Sequence, residues 1–126
     1  LAKAAYRKEY MSVQGHLPLR EAIANFHQEK EGKNWAAENI IVGSGSKILL
    51  FCVMAAFEQA EILLPAPSWV SYEPQGQLAG HKVTWLTTTF NEKWHLTPEQ
   101  LDQYCLARDT PKTPLILVLN YPRNPT

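Results

Sequence analysis

Near its C-terminal end the chain runs Leu115-Ile-Leu-Val-Leu-Asn120, apolar at every position but the last. Such a run, with β-branched residues at its centre, reads as a buried strand. The residues that follow, Tyr121-Pro-Arg-Asn124-Pro125-Thr126, contain two prolines and an asparagine and cannot continue in a sheet. Polar groups just past the C-terminal end of such a strand lie where open α/β sheets bind ligands. The sequence begins at Leu1 rather than a methionine and stops directly after this segment, so it is expected to be a piece of a larger protein.

Upstream, short strands and helices alternate. Pro18 suits the first turn of a helix on which Leu19, Ala22, Ile23 and Phe26 share a face, and Gly32 suits its end. Residues 38–42 read as a short strand, 43–47 as its exit turn, and 48–58 as a helix apolar almost all round and hence buried. Residues 61–64 form a second strand, broken by Pro65-Ala66-Pro67. Ser68 caps a helix towards Leu78, with Pro74 forcing a late start or a kink, and Ala79-Gly80 ends it. Residues 81–86 alternate as a strand, and 87–93 make a polar connection. Thr97-Pro98-Glu99-Gln100 combines a cap, a proline at the first helical position and a capping-box glutamine, predicting a helix to about Arg108. This order argues for an α/β protein with a mostly parallel sheet.

The 126 residues, 45% hydrophobic and 19% charged, are ordinary for one globular domain. The net charge of zero supplies no attraction to nucleic acid or an anionic membrane. No apolar run approaches the ~20 residues that span a bilayer, and no secretory leader pattern is visible. Cys52 and Cys105, without ligand-spaced neighbours, read as buried free thiols, which points to the cytoplasm. His16, His27, His81 and His95 are scattered without metal spacing and read as surface or packing residues; no metal site is expected.

Three loops after predicted strands carry residues with binding chemistry. In Gly43-Ser44-Gly45-Ser46-Lys47 the glycines permit close backbone approach, and the next helix offers free N–H groups and the positive end of its dipole. That suits an anion such as phosphate; an ordinary strand-to-helix turn is the other reading. Neither the dinucleotide fingerprint nor the Walker A pattern fits, because Ile48 replaces the third glycine and no Gly-Lys-Ser/Thr follows. Trp69, in Pro67-Ser-Trp69-Val-Ser-Tyr72, either lies against a planar ligand or packs a helix start. Asn124 offers an amide donor and acceptor, or is a plain turn residue. In a parallel sheet these loops share one edge, which suits a flat, phosphorylated ligand.

In order and spacing these residues resemble the class I/II aminotransferases, the fold type I enzymes dependent on pyridoxal 5′-phosphate. Tyr10, Gly15 and Leu19-Arg20 are similar to that family's early Tyr…Gly…Leu-Arg pattern, and Gly45-Ser46-Lys47 to its phosphate-binding turn. Pro67-Ser-Trp69-Val-Ser-Tyr72 resembles the segment with the ring-stacking aromatic, and Asn120-Tyr-Pro-Arg-Asn124-Pro-Thr126 the Asn-Pro-Thr-Gly signature up to its glycine. Arg123 and Ile48 depart from the usual residues beside these motifs. The resemblance implies a three-layer fold, with residues 1–126 part of the large cofactor-binding domain and 1–14 a lead-in from a missing N-terminal segment. It implies that Gly45, Ser46 and Lys47 hold the phosphate, Trp69 stacks on the ring and Asn124 binds the phenolic oxygen. Tyr10 would reach the cofactor of a partner subunit in a homodimer. The Ala66-Pro67 and Asn124-Pro125 bonds match positions often cis in the family. No lysine here matches the Schiff-base position, so no catalytic residue is expected in the chain and the isolated piece is expected to be inactive. The implied activity is amino-group transfer between an amino acid and a 2-oxo acid. The alternatives are a carbon–sulfur β-lyase or decarboxylating transferase on the same scaffold, or a cofactor-binding sensor domain of a transcription regulator.

Overall fold

A computed structural model describes residues 10–122 and Asn124. The chain forms two compact units, Leu1–Ile48 and Leu49–Thr126. The first is built on helix α1 (Leu17–Glu31), which has a proline in its opening turn and closes on Gly32 in the left-handed conformation (φ 66°), as its sequence predicts. Its buried face is not the expected one. Arg20 and Ala24 are buried, whereas Leu19 and Phe26 are about half exposed. Hydrogen bonds draw Arg20 inward: one Nη1 donates to Gln14 Oε1 at 3.0 Å and to the Ala37 carbonyl at 2.9 Å. Phe26 instead lies beneath the Lys30 ammonium, 4.7 Å from its ring centroid.

The strand expected at 38–42 is absent. A 3₁₀ turn occupies Ala37–Asn39, and Val42 donates one backbone hydrogen bond to Gln14 (2.9 Å) without a ladder. Apolar character alone does not make a strand when no second strand pairs with it. The same contact explains Gly15. Its φ is +97°, and a Cβ there would stand 2.8 Å from Val42 Cβ, so only glycine permits this approach.

Helix α2 (Ser46–Ala55) starts and ends earlier than predicted, and of its residues only Met54 is buried. Cys52, and Cys105 further on, are free thiols but exposed rather than buried. The second unit is then organised around strand β1 (Glu61–Ala66). It pairs in parallel with β2 (Lys82–Thr87) on one side and β3 (Leu115–Leu117) on the other, giving the order β2-β1-β3. The expected break at Pro65 does not occur, and alternation explains why. Glu61 N–H donates to Pro114, and the Leu63 carbonyl accepts from Val118, so odd positions of β1 bond towards β3. Pro65 has the same parity and removes a donor only on that side, beyond the last paired residue of β3. Pairing with β2 continues to Ala66.

Helices cover both faces. Ile62 and Leu64 meet Met54 of α2 and Tyr72 of α3 (Tyr72–Leu78) in the core. Gly76 lets α3 approach closely, since a Cβ there would lie 2.9 Å from both Ile62 and Val83. Pro74 delays the start of α3 as anticipated, and Ser71, not Ser68, stands at its cap position. On the other face lies α4 (Pro98–Leu106), opened by the predicted capping box: Gln100 N–H donates to Thr97 Oγ1 at 3.3 Å and Thr97 N–H to Gln100 Oε1 at 2.9 Å. His81 is a packing residue. Its Nδ1 accepts from Ala60 N–H (3.2 Å) and its Nε2 donates to the Met54 carbonyl (2.8 Å), joining α2, β1 and β2 at their ends.

The entry end of β1 carries a buried charge. Glu61 Oε1 accepts from Tyr104 OH at 2.5 Å and Thr84 Oγ1 at 2.6 Å and pairs with Lys82 Nζ at 2.6 Å. Arg108 Nε stands 3.5 Å from Oε2, near enough to pair in charge but without hydrogen-bond geometry. Burial opposes ionisation of Glu61, but the hydrogen bonds from Lys82, Thr84 and Tyr104 and the Lys82 charge outweigh it and lower the carboxyl to about 2. With a folded value below the ordinary 4.5, this group stabilises the fold fully above that pH and loses its contribution as pH falls towards 2. The shift corresponds to roughly 3 kcal/mol. Urea unfolding from neutral to acid pH should therefore show a steep loss of stability below about pH 5 that Glu61→Gln flattens, with the variant weaker at neutral pH. Parallel acid profiles for the two proteins would show that the carboxylate does not carry this stability.

Candidate functional site

Because the strands are parallel, the loops leaving β1 and β3 emerge at one edge of the sheet. The β1 exit runs through a cis Ala66-Pro67 bond, at the position the resemblance pointed to. The other bond singled out there, Asn124-Pro125, lies outside the described residues, and a cis bond occurs at Tyr121-Pro122. The two exits meet around a cleft lined by Pro65, Ser68, Val118, Asn120, Tyr121 and Asn124. Its free volume is about 10 Å³, room for one hydrogen-bonding group rather than a whole ring. The lining side chains are neutral: a hydroxyl, a phenol and two amides among apolar groups. They can bind and orient, but none is a carboxylate, imidazole or amine that would move a proton at neutral pH.

Trp69 is half-buried beside this cleft in sequence but is not part of its lining. It packs on the core of Met54, Ile62 and Leu64 and meets Tyr72 edge to face, with centroids 5.4 Å apart and planes at 79°. Its packing role is thus visible, while part of its surface stays open to solvent. Asn124 is exposed at the end of the described loop. Three residues before it, Tyr121 OH accepts from Leu96 N–H at 3.1 Å, and the ring stacks on His95 at 4.8 Å.

The remaining candidates belong to the first unit. Ser46 is the first residue of α2, so the N–H groups of that opening turn have no partner within the helix. Gly45, Ser46 and Lys47 are exposed, and open space surrounds the position of a Cβ on Gly45. Tyr10 is fully exposed. Among the described residues, no group of three or more His, Cys, Asp or Glu is placed to hold a metal ion, and no helix is long and apolar enough to cross a membrane.

Sequence reasoning passed over Ser68, Asn120 and Tyr121. Ser68 was expected at a helix cap and Asn120 at a strand end; the signal that could have found both is their place at the exits of β1 and β3. Scaffold and binding residues should separate on substitution. Tyr72→Ala empties a buried position and should cost about 3–5 kcal/mol in denaturant unfolding. Asn124→Ala, on an exposed loop, should stay within about 0.5 kcal/mol of the unsubstituted protein.

The sequence model of the family described as aminotransferase class I and II matches residues 2–126. The chain is 32% identical over 123 residues to the asparagine–oxo-acid transaminase of Streptococcus mutans, covering 95% of this chain and 30% of that protein. It is 33% identical over 124 residues to an aspartate/prephenate aminotransferase of Cereibacter sphaeroides, covering 97% and 30%. Among solved structures it is similar to the aspartate aminotransferase from Thermus thermophilus with maleate, with a TM-score of 0.85, 32% identity, and coverage of 99% of this chain and 32% of that one. The aspartate aminotransferase from Thermotoga maritima gives a TM-score of 0.85 at 27% identity, covering 98% and 32%. The chain spans about a third of the length of these relatives. With the family's pattern running almost from end to end and its parallel α/β architecture reproduced, the chain belongs to the class I and II aminotransferases.

Proposed function

We propose that this chain is the cofactor-holding part of an aminotransferase that uses pyridoxal 5′-phosphate to move an amino group between an amino acid and a 2-oxo acid. The observation that carries the reading is the pairing, at one sheet edge, of the β1 exit bearing Trp69 with the β3 exit bearing Asn124, in a chain of this family. The residues fit the group. A half-buried indole suits one face of a pyridine ring, and a neutral amide cleft suits a single polar substituent. An uncrowded glycine before a helix start suits a phosphate.

In this reading the backbone of Gly45, the Ser46 hydroxyl and the Lys47 ammonium hold the phosphate. Trp69 lies against the ring and excludes water from that face. Asn124 donates its amide N–H to the phenolic oxygen, favouring the ionised form of that oxygen. Tyr10 reaches the phosphate of the cofactor in a partner subunit, so the working unit is a cytoplasmic homodimer with shared sites. When bound, pyridoxal phosphate supplies the electron sink for the reaction. The chain's own residues bind and tune it, and the Schiff-base lysine is not among them. Residues 1–126 are then part of the large domain, with 1–14 as its lead-in. Relatives named as transaminases of asparagine, aspartate, prephenate and aromatic amino acids favour amino-group transfer over lyase chemistry.

The reading is tested by titrating the cofactor into the whole protein. Trp69→Ala and Asn124→Ala should each weaken binding on the order of 10-fold, from losses of about 1–2 kcal/mol, and shift the cofactor's absorbance. Unchanged affinity and spectra in both would count against these roles. The 126-residue chain alone should show no transaminase turnover.

A further inference from the structure

The segment carrying Asn124 is held from outside its own strand. Between β2 and α4 the chain makes a tight turn in which Lys93 and Trp94 both adopt left-handed backbone, with φ of 51° and 58°. Residues other than glycine persist there only where their surroundings over-determine them. Here the Glu92 carboxylate gathers the turn. It accepts from Thr89 N–H at 3.1 Å, from Thr89 Oγ1 at 3.0 Å, and from the Gln100 amide at 3.2 and 3.3 Å. Lys93, Trp94 and His95 donate backbone hydrogen bonds to Phe90, Thr89 and Glu92, each of 2.9 Å. At the root of the turn, the Thr88 hydroxyl donates to the Ala66 carbonyl, tying it to the exit of β1.

Such a braced turn presents two groups to the β3 exit loop. The His95 ring stacks on Tyr121 with centroids 4.8 Å apart and planes at 25°, and Leu96 N–H donates to Tyr121 OH at 3.1 Å. We propose that the turn is a positioning latch: His95 and the Leu96 N–H hold Tyr121, and through it hold the Asn124 amide in place for the cofactor. An amide on an exposed loop binds well only if it is pre-set to within about 0.5 Å, and Tyr121, three positions away, is an anchored residue that could do this. His95 and Tyr121 are positioning residues. The inference rests on the reading that Asn124 contacts pyridoxal phosphate.

The test uses the whole protein, hydrogen exchange of the amides in residues 120–124, and pyridoxal phosphate titration followed by absorbance. Tyr121→Phe deletes the acceptor and His95→Ala deletes the stack. Each should speed exchange in that segment and weaken cofactor binding about 5-fold, while β1 stays protected. His95→Phe, which can still stack, should restore both readouts. Unchanged exchange in Tyr121→Phe and His95→Ala would overturn the latch. Faster exchange with unchanged affinity, where Asn124→Ala does weaken binding, would overturn positioning while leaving the Asn124 assignment intact. If Asn124→Ala also leaves affinity and absorbance unchanged, that assignment falls and the latch's role falls with it.

Discussion

The second unit depends on β1 being hydrogen-bonded on both sides and covered on both faces. Ile62, Leu63 and Leu64 have no solvent exposure. A strand buried in this way must give every backbone polar group a partner, which fixes its register against β2 and β3. It must also send its ends to opposite edges of the sheet. Alternation along the strand then assigns Ile62 and Leu64 to α2 and α3, and Glu61 and Leu63 to the face of α4. Pro65 is tolerated because its missing donor points where β3 has already ended.

The two ends of that strand do different work. At the entry end, Glu61 collects Tyr104, Thr84, Lys82 and Arg108, and His81 joins the end of α2 to the start of the sheet. Glu61 and His81 are buried, Lys82 reaches Glu61 from an exposed position, and these pairings stabilise the unit. At the exit end the side chains that line the cleft are neutral, and the Glu92 carboxylate braces the turn behind the loop rather than the cleft itself. Stability concentrated at one edge leaves the other free to present loops, the usual division in open α/β sheets.

Local signals were legible where the physics is local. The Thr97 capping box, the proline at the start of α1, the left-handed Gly32 and the late start forced by Pro74 all depend on a few adjacent residues. The parallel α/β class was legible too, from the alternation of strands and helices. Expectations failed where a distant partner decides the outcome. Residues 38–42 had strand character but no ladder, and Arg20 displaced Leu19 and Phe26 from the buried face because Gln14 and Ala37 offered it hydrogen bonds. Cys52 and Cys105 fell on exposed helix positions that composition does not distinguish. At the candidate site, Trp69 and Asn124 are singled out by their places after predicted strands, and the roles proposed for them come from the family resemblance. The contacts of His95 and Leu96 with Tyr121 could not be read from the sequence, since they join residues about 25 positions apart through side-chain geometry alone.

Family membership and the paired loop exits lead to one account. In the proposed account this chain would supply surfaces that grip pyridoxal phosphate, with the aromatic and amide contacts coming from the exits of β1 and β3. The most direct measurement is a crystal structure of the whole protein with pyridoxal phosphate bound. The account predicts the ring against Trp69, the phenolic oxygen within hydrogen-bond reach of the Asn124 amide, and the phosphate on the Gly45–Ser46–Lys47 turn. A cofactor bound away from Trp69 and Asn124 would contradict it.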